Sequence, residues 1–131
     1  MGMYTGLRGT VELKQNVAEA LTSYWYDDNG RYSVWQYIGA KTGCAETLAF
    51  SQDYRSSFIP HGVVCYMPDD WAHECELVGN TLTICCSLKN YDNTIGKFLE
   101  LLPSIATAWE LEKLREGDCG SEFFNEGDEN E

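Results

Sequence analysis

Two pairs of adjacent acids are the first residues in this sequence with the chemistry of an active site. They are Asp27-Asp28 and Asp69-Asp70, and paired carboxylates can bind Mg²⁺ together with substrate phosphates. A metal-dependent hydrolase that uses Asp69, Asp70 and neighbouring carboxylates is therefore one hypothesis. Both pairs lie beside turns or aromatic residues, where acids more often solvate a loop or cap a helix, and we favour that interpretation.

Histidine and cysteine come close together in one segment. His73 and Cys75 would share one face of a strand, and a hairpin would place Cys86 opposite His73. Such residues can bind zinc, but the same face would hold Leu77 and Leu82, which is typical of a packed core. The six cysteines form no Cys-x-x-Cys pair. We therefore expect neither a metal nor a cofactor.

Motifs of common enzymes are missing from the sequence. It contains no G-x-G-x-x-G, no Walker loop and no G-x-S-x-G. His61 lies between Pro60 and Gly62, which indicates a turn, and the sequence suggests no Cys-His catalytic pair. These observations favour a protein that is not an enzyme.

Size and composition are those of a small globular protein. A chain of 131 residues with 44% hydrophobic residues suits one domain with its own core. No apolar run approaches the roughly 20 residues needed to cross a bilayer, and no charged-then-apolar leader opens the sequence. We expect a cytoplasmic protein without membrane contact.

The net charge of −12 limits the choice of partner. Residues 116–131 contain seven acids and no Lys or Arg, so the first 115 residues carry 14 acids against 9 bases. Direct binding to nucleic acid is disfavoured because it requires a basic patch. An acidic surface instead attracts basic surfaces, which nucleic-acid-binding proteins often carry.

Residues 71–90 predict a β-hairpin around the two-residue loop Gly79-Asn80. This register pairs Leu77 with Leu82 and Cys75 with Ile84 on one face. The other face would receive Glu74, Glu76, Thr81, Thr83, Cys85 and Ser87. A slip of one residue would bury the glutamates, so burial determines the register.

Four further elements surround the hairpin. A strand over Tyr4–Lys14 alternates Leu7, Val11 and Leu13 with polar residues, and Asn16 can cap a helix with the apolar stripe Val17, Leu21, Tyr24 and Trp25. A second helix covers Thr94–Leu102, with Asp92 or Asn93 as its cap and Pro103 at its end. A strand over Thr107–Arg115 follows, with Trp109 and Leu111 on one face and Glu110 and Glu112 on the other. The order β-α-insertion-β-β-α-β is that of the ferredoxin-like split βαβ fold. It predicts an α+β domain over residues 1–116, with a four-stranded antiparallel sheet and two helices on one face.

The remaining segments are an insertion and a tail. The insertion, residues 26–70, is long enough to require structure of its own, including a short helix around Ala45–Gln52 and an extended segment over Phe58–Met67. The acidic tail, residues 117–131, is expected to be disordered. Within it, Phe123-Phe124 has no local core to join and resembles a peptide that docks in a basic, apolar pocket.

Two surfaces are candidates for an interface. Strand parity places five glutamates on the open sheet face, where carboxylates could imitate phosphates and occupy a nucleic-acid channel of a partner: Glu12, Glu74, Glu76, Glu110 and Glu112. A solvated face, or one covered by the insertion, is the alternative. The insertion supplies Trp35, Tyr54 and Phe58, of the residue types that dominate interfaces, although these aromatics could also form a second small core.

Three stretches carry a resemblance to known proteins: M-Y-T-G-L-R-G-T-V-E-L-K, R-S-S-F-I-P-H-G-V-V-C-Y-M-P-D-D-W and L-K-N-Y-D-x-x-I-x-x-F-L-E-L-L-P. They resemble small acidic bacteriophage proteins of ferredoxin-like type, which include inhibitors of CRISPR and restriction systems. The resemblance implies a phage protein, in the host cytoplasm, that inhibits a host defence machine with a basic nucleic-acid-binding surface. It transfers no catalytic residues. A binder of a nucleotide signal and a homodimer remain open as alternatives.

Overall fold

The computed structural model describes residues 4–27, 33–53, 55–56, 58–61, 67, 71, 75–90, 93–115 and 120–126. The strands are β1 (Tyr4–Leu13), β2 (Glu76–Val78), β3 (Thr81–Lys89), β4 (Ala106–Arg115) and β5 (Glu122–Glu126). The helices are α1 (Gln15–Asp27), α2 (Val34–Thr42), α3 (Ala45–Ser51), the four-residue α4 (Phe58–His61), which is interrupted at Ile59, and α5 (Thr94–Ile105).

The strands form one sheet in the order β2-β3-β1-β4-β5, and every neighbouring pair is antiparallel. The expected α+β class with an antiparallel sheet is confirmed. The expected number of four strands is wrong, because the described residues contain five. The additional strand, β5, lies in the segment that the sequence predicted to be disordered. It pairs with β4 over five residues, so that prediction is wrong for Glu122–Glu126.

The hairpin between β2 and β3 has the predicted register. Leu77 pairs with Leu82 and Glu76 with Thr83 across the Gly79-Asn80 turn. The inward row of β3 consists of Leu82, Ile84, Cys86 and Leu88, all at most 1% exposed. β2 begins at Glu76, so the predicted pairing of Cys75 with Ile84 is not part of the ladder. His73 and Glu74 lie outside the described residues.

Strand β1 occupies the centre of the sheet, between β3 and β4. Leu7, Val11 and Leu13 alternate into the core as predicted. Gly9 belongs to the same inward row, and its φ of +138° is one that residues with side chains rarely adopt. A Cβ at this position would lie 2.0 Å from the carbonyl oxygen of Glu110. The absence of a side chain at residue 9 therefore allows β1 and β4 to approach at the middle of the sheet.

Helix α1 packs on the inward face through Val17 and Leu21, with Tyr24 and Trp25 partly buried beside them. This is the predicted apolar stripe. The helix begins at Gln15 rather than after Asn16. The reason is that the carbonyl of Lys14 already accepts a hydrogen bond from the Ala18 N–H at 3.0 Å, so the first turn forms before Asn16.

Helix α5 continues to Ile105 and contains Pro103, which was expected to end it. Proline removes the hydrogen bond to the residue four positions earlier, but here the loss falls in the last turn. Leu102 and Ile105 are fully buried, and their burial favours continuation of the helix. At the other end, Asn93 makes no side-chain cap bond. The Asn90 Oδ1 accepts from the Ile95 N–H at 2.8 Å instead.

The insertion adds helices to the same side of the sheet. The short helix predicted around Ala45–Gln52 is confirmed as α3. Helix α2 was not predicted, although Ser33 caps it by accepting from the Gln36 N–H at 3.2 Å. Of the segment 58–67, expected to be extended, the structure describes α4 and Met67. No helix in the described part of the chain is long and apolar enough to cross a membrane.

Candidate binding site on the far face of the sheet

The sheet has one face packed on the helices and a second face, called here the far face. Inward residues of the strands join side chains of α1, α2, α3 and α5 in one core. Strand parity then assigns to the far face Arg8, Thr10 and Glu12 of β1, Glu76 and Val78 of β2, Thr81, Thr83, Cys85 and Ser87 of β3, Ala108, Glu110, Glu112 and Leu114 of β4, and Phe123 and Asn125 of β5.

One half of the far face is covered by Met67, near the end of the insertion, and by Trp71, which follows the insertion. Trp71 packs with Cys85 and Leu114 in a second apolar cluster, and Met67 lies against it. A Cβ on Gly6 would lie 2.6 Å from both Met67 Sδ and Trp71 Cζ3, so Trp71 sits directly over the glycine. The prediction of an open face is therefore wrong for this half: Cys85 and Ser87 are each 4% exposed.

Arg8 lies at the boundary of the covered half. Its Nε donates to Glu112 Oε1 at 2.7 Å, and its guanidinium lies 4.4 Å from the centre of the Trp71 ring. Glu112 Oε2 accepts in addition from Ser121 Oγ at 2.5 Å. Glu112 was expected to be an exposed acid of the interface. It is a partly buried member of an ion pair that fastens β5 and Trp71 to the sheet, so its charge is largely compensated.

The other half of the far face is acidic, and no described residue covers it. Glu12, Glu76 and Glu110 are exposed there on β1, β2 and β4. Glu12 accepts from Thr81 Oγ1 at 2.5 Å. Glu110 and Glu76 lie in one row across the sheet, because Glu76 pairs with Thr83, Thr83 with Thr10 and Thr10 with Glu110. The structure thus places on the far face four of the five glutamates that the sequence assigned to it, and three of them are exposed.

A depression of about 550 Å³ lies in the uncovered half, and we call it the trough. It runs over β3, β1, β4 and β5, and its wall includes Thr10, Thr83, Glu110, Glu112, Phe123 and Asn125. Phe123 is 67% exposed, which is unusual for an aromatic residue in a strand. The trough therefore combines carboxylates, hydroxyls, the guanidinium of Arg8 and one aromatic ring on one face of the sheet.

The aromatic residues of the insertion that were candidates for an interface differ in their burial. Trp35 is a core residue, 1% exposed, whose Nε1–H donates to the Ile59 carbonyl and whose ring contacts Phe50 and Phe98. The prediction that Trp35 belongs to an interface is wrong. Burial of this large ring among the helices removes its apolar surface from water and so stabilises the fold. Phe58 is 44% exposed. Tyr54, Glu74, Asp69 and Asp70 lie outside the described residues.

Sequence reasoning missed Asn125 of β5 as a wall of the trough, and it missed the role of Trp71 as a cover. A signal for β5 existed: E-F-F-N-E lies between Gly120 and Gly127, and a short aromatic run bounded by glycines is compatible with a strand. The acidic composition of residues 117–131 nevertheless led to a prediction of disorder.

Two thiols near the hairpin core, Cys75 and Cys86, are not suited to nucleophilic chemistry. Burial raises the pKa of Cys75 to about 12, and burial likewise raises the pKa of the Cys86 thiol. Both are therefore protonated near neutral pH, and the protonated thiol is a poor nucleophile and metal ligand. Among the described residues, no group of three or more His, Cys, Asp or Glu could hold a metal ion.

Comparisons with protein-family models, with curated proteins and with solved structures found no match to this chain. The geometry and charge of the far face are thus the basis for assigning a function.

Proposed function

We propose that this protein is a non-enzymatic binding protein that docks a basic surface of a partner protein on the uncovered half of its far face. The observation that supports this most strongly is the placement of Glu12, Glu76 and Glu110. They are exposed on three strands of one sheet face, and the described helices pack on the opposite face.

Charge favours a basic partner over an anionic ligand. Among the described residues assigned to the uncovered half and its boundary, Arg8 is the only basic one. It forms an ion pair with Glu112. Opposite charges across an interface mainly accelerate association and exclude wrong partners. In a cell, large basic surfaces belong chiefly to nucleic-acid-binding proteins, so nucleic acid should compete with this protein for them.

The biological setting that we propose follows the resemblance to small acidic phage proteins. The partner would be a host defence machine that binds nucleic acid, such as a CRISPR effector, and binding in the host cytoplasm would inhibit it. A ferredoxin-like core is part of this proposal. It is supported by the order of the strands, because β1 and β2 run parallel with β3 between them, and β3 and β4 run parallel with β1 between them.

The test is a charge reversal with a matched control. In the test variant Glu12, Glu76 and Glu110 are each replaced by Lys; in the control variant the exposed helix acids Glu19, Glu46 and Glu100 are replaced by Lys. Both variants change the net charge from −12 to −6. Each protein is immobilised and used to capture proteins from a bacterial lysate, with quantification by mass spectrometry and with competition by added DNA.

The expected result is that basic nucleic-acid-binding proteins are retained by the wild type and by the control variant, lost from the far-face variant and displaced by DNA. If the two variants lose the same proteins equally, net charge alone governs binding and the far face is not the site. If Phe58→Ala removes the captured protein and the far-face variant does not, the insertion is the interface.

A further inference from the structure

We propose that the trough binds one arginine side chain of the partner, stacked on Phe123 and hydrogen-bonded to Glu110. This inference rests on the proposed function and names the contact that would carry its specificity. It assigns to the uncovered half of the far face a single subsite for a planar cation.

One carboxylate in the trough, that of Glu110, is not neutralised by a described basic residue and is available to a ligand. Arg8 contributes one positive charge and Glu112 one negative charge, and the two form an ion pair at 2.7 Å. Glu110 is exposed and forms no ion pair with another described residue. The trough therefore has a net charge of about −1, which one cation would neutralise.

The strand register sets the spacing of the contacting groups. Glu110 pairs with Asn125, and Glu112 pairs with Phe123, so Glu110 and Phe123 are diagonal neighbours on the same face. Such neighbours lie roughly 7–8 Å apart. A guanidinium that stacks within about 6 Å of a ring centre can at the same time reach a carboxylate at that distance.

Arginine fits this arrangement better than lysine. Its guanidinium is planar, stacks on aromatic rings and donates several hydrogen bonds in one plane. The Glu110 carboxylate and the side-chain oxygen of Asn125 are acceptors in adjacent positions. Phe123 offers an exposed ring, and interfaces concentrate their binding energy where an aromatic and an arginine meet. A lysine ammonium would keep the charge attraction but lose the planar stacking.

The test uses two blocked peptides as probes, one of three Gly-Arg repeats and one of three Gly-Lys repeats. Binding to the full ¹⁵N-labelled chain is followed by NMR chemical-shift changes and by calorimetry at low salt. The variants are Phe123→Ala and Glu110→Gln. Their matched controls are Phe58→Ala, which removes an exposed ring elsewhere, and Glu100→Gln, which removes the same charge from α5.

We expect the arginine peptide to shift the amides of Thr10, Thr83, Glu110 and Phe123 and to bind more tightly than the lysine peptide. Glu110→Gln should weaken its binding about 10-fold and Phe123→Ala about 3- to 5-fold, with the controls within about 2-fold. Unchanged amide positions and dispersion in the free variants establish that each is folded.

Equal binding of the two peptides, or wild-type affinity in Phe123→Ala and Glu110→Gln, would overturn the arginine subsite. A double variant, Glu12→Lys with Glu76→Lys, then tests the proposed function separately, because it leaves the trough unchanged. If this double variant no longer captures the partner, the proposed function is retained although the arginine subsite is wrong. If that double variant also behaves as the wild type, the proposed function fails together with the subsite.

Discussion

At the level of single residues, Asp53 connects the insertion to helix α5. Its Oδ1 accepts from Thr94 Oγ1 and from the Arg55 N–H, both at 2.9 Å, and its Oδ2 accepts from Lys97 Nζ at 3.0 Å. Burial raises the pKa of Asp53, but the hydrogen bonds from Arg55, Lys97 and Thr94 outweigh it, so the pKa lies below its ordinary 3.8.

Asp53→Asn should therefore lower the free energy of unfolding by about 1–3 kcal/mol at neutral pH. A carboxylate with a lowered pKa stabilises the fold above its unfolded-state pKa of 3.8, and this contribution is lost as pH falls through the lower folded-state value. Urea unfolding of wild type and variant should show a constant difference near neutral pH that shrinks below pH 3.8. A difference independent of pH would mean that the ionised form contributes nothing.

The exposed Glu100 provides the control for this measurement. Glu100→Gln removes an acid from the same helix as Thr94 and Lys97, without a described hydrogen bond to either. Its unfolding free energy should follow that of the wild type over the same pH range.

At the level of elements, β5 decides whether the trough exists, because Phe123 and Asn125 form one of its walls. The strand is attached to β4 by its ladder, by the Ser121–Glu112 hydrogen bond and by an ion pair between Lys113 Nζ and Glu122 Oε1 at 3.1 Å. The exposed ion pair adds little stability. Packing of Phe124 against the core is the larger contribution, because it removes aromatic surface from water.

Phe124→Ala should lower the free energy of unfolding by about 1–3 kcal/mol, whereas Phe123→Ala should change it by less than about 0.5 kcal/mol. The two residues are adjacent and of the same type, so each serves as the control for the other. Chemical unfolding measures the difference, and hydrogen exchange of the β5 amides should accelerate only in Phe124→Ala. Equal, negligible effects of both substitutions would show that β5 is not docked in solution.

At the level of the whole molecule, acids outside the proposed interface should affect how fast a basic partner approaches rather than how tightly it is held. Asp128, Glu129 and Glu131 follow β5 in the sequence, and replacing them with Asn, Gln and Gln changes the net charge from −12 to −9. The far face keeps all its acids in this variant.

Association of this variant with a basic partner should be slower at about 50 mM salt and equal to that of the wild type at about 500 mM, because salt screens long-range attraction. The dissociation rate should stay unchanged, since residues that only steer the partner make no contact in the complex. Surface plasmon resonance over a salt series measures both rates. Faster dissociation would instead place these three acids inside the interface.

The sequence by itself determined the elements whose signals are local. The alternation of β1 and β4, the stripe of α1 and the Gly79-Asn80 turn each define a periodicity or a turn within a few residues, and the structure has these elements. The register of Leu77 with Leu82 was also predictable, because a slip would bury Glu76. The same parity located Glu12, Glu76 and Glu110 on one face of the sheet.

Tertiary structure alone decided the features that depend on contacts between distant segments. Trp71 covers one half of the far face because Gly6 leaves space beneath it, and Trp35 is buried because it packs between Phe50 and Phe98. Neither environment has a local signal in the sequence. β5 forms although its composition predicts disorder, because β4 offers a free edge and the core accepts Phe124. Amino-acid composition indicates the average free-energy cost of ordering a segment, but pairing with one specific strand and burial of one side chain can offset that cost.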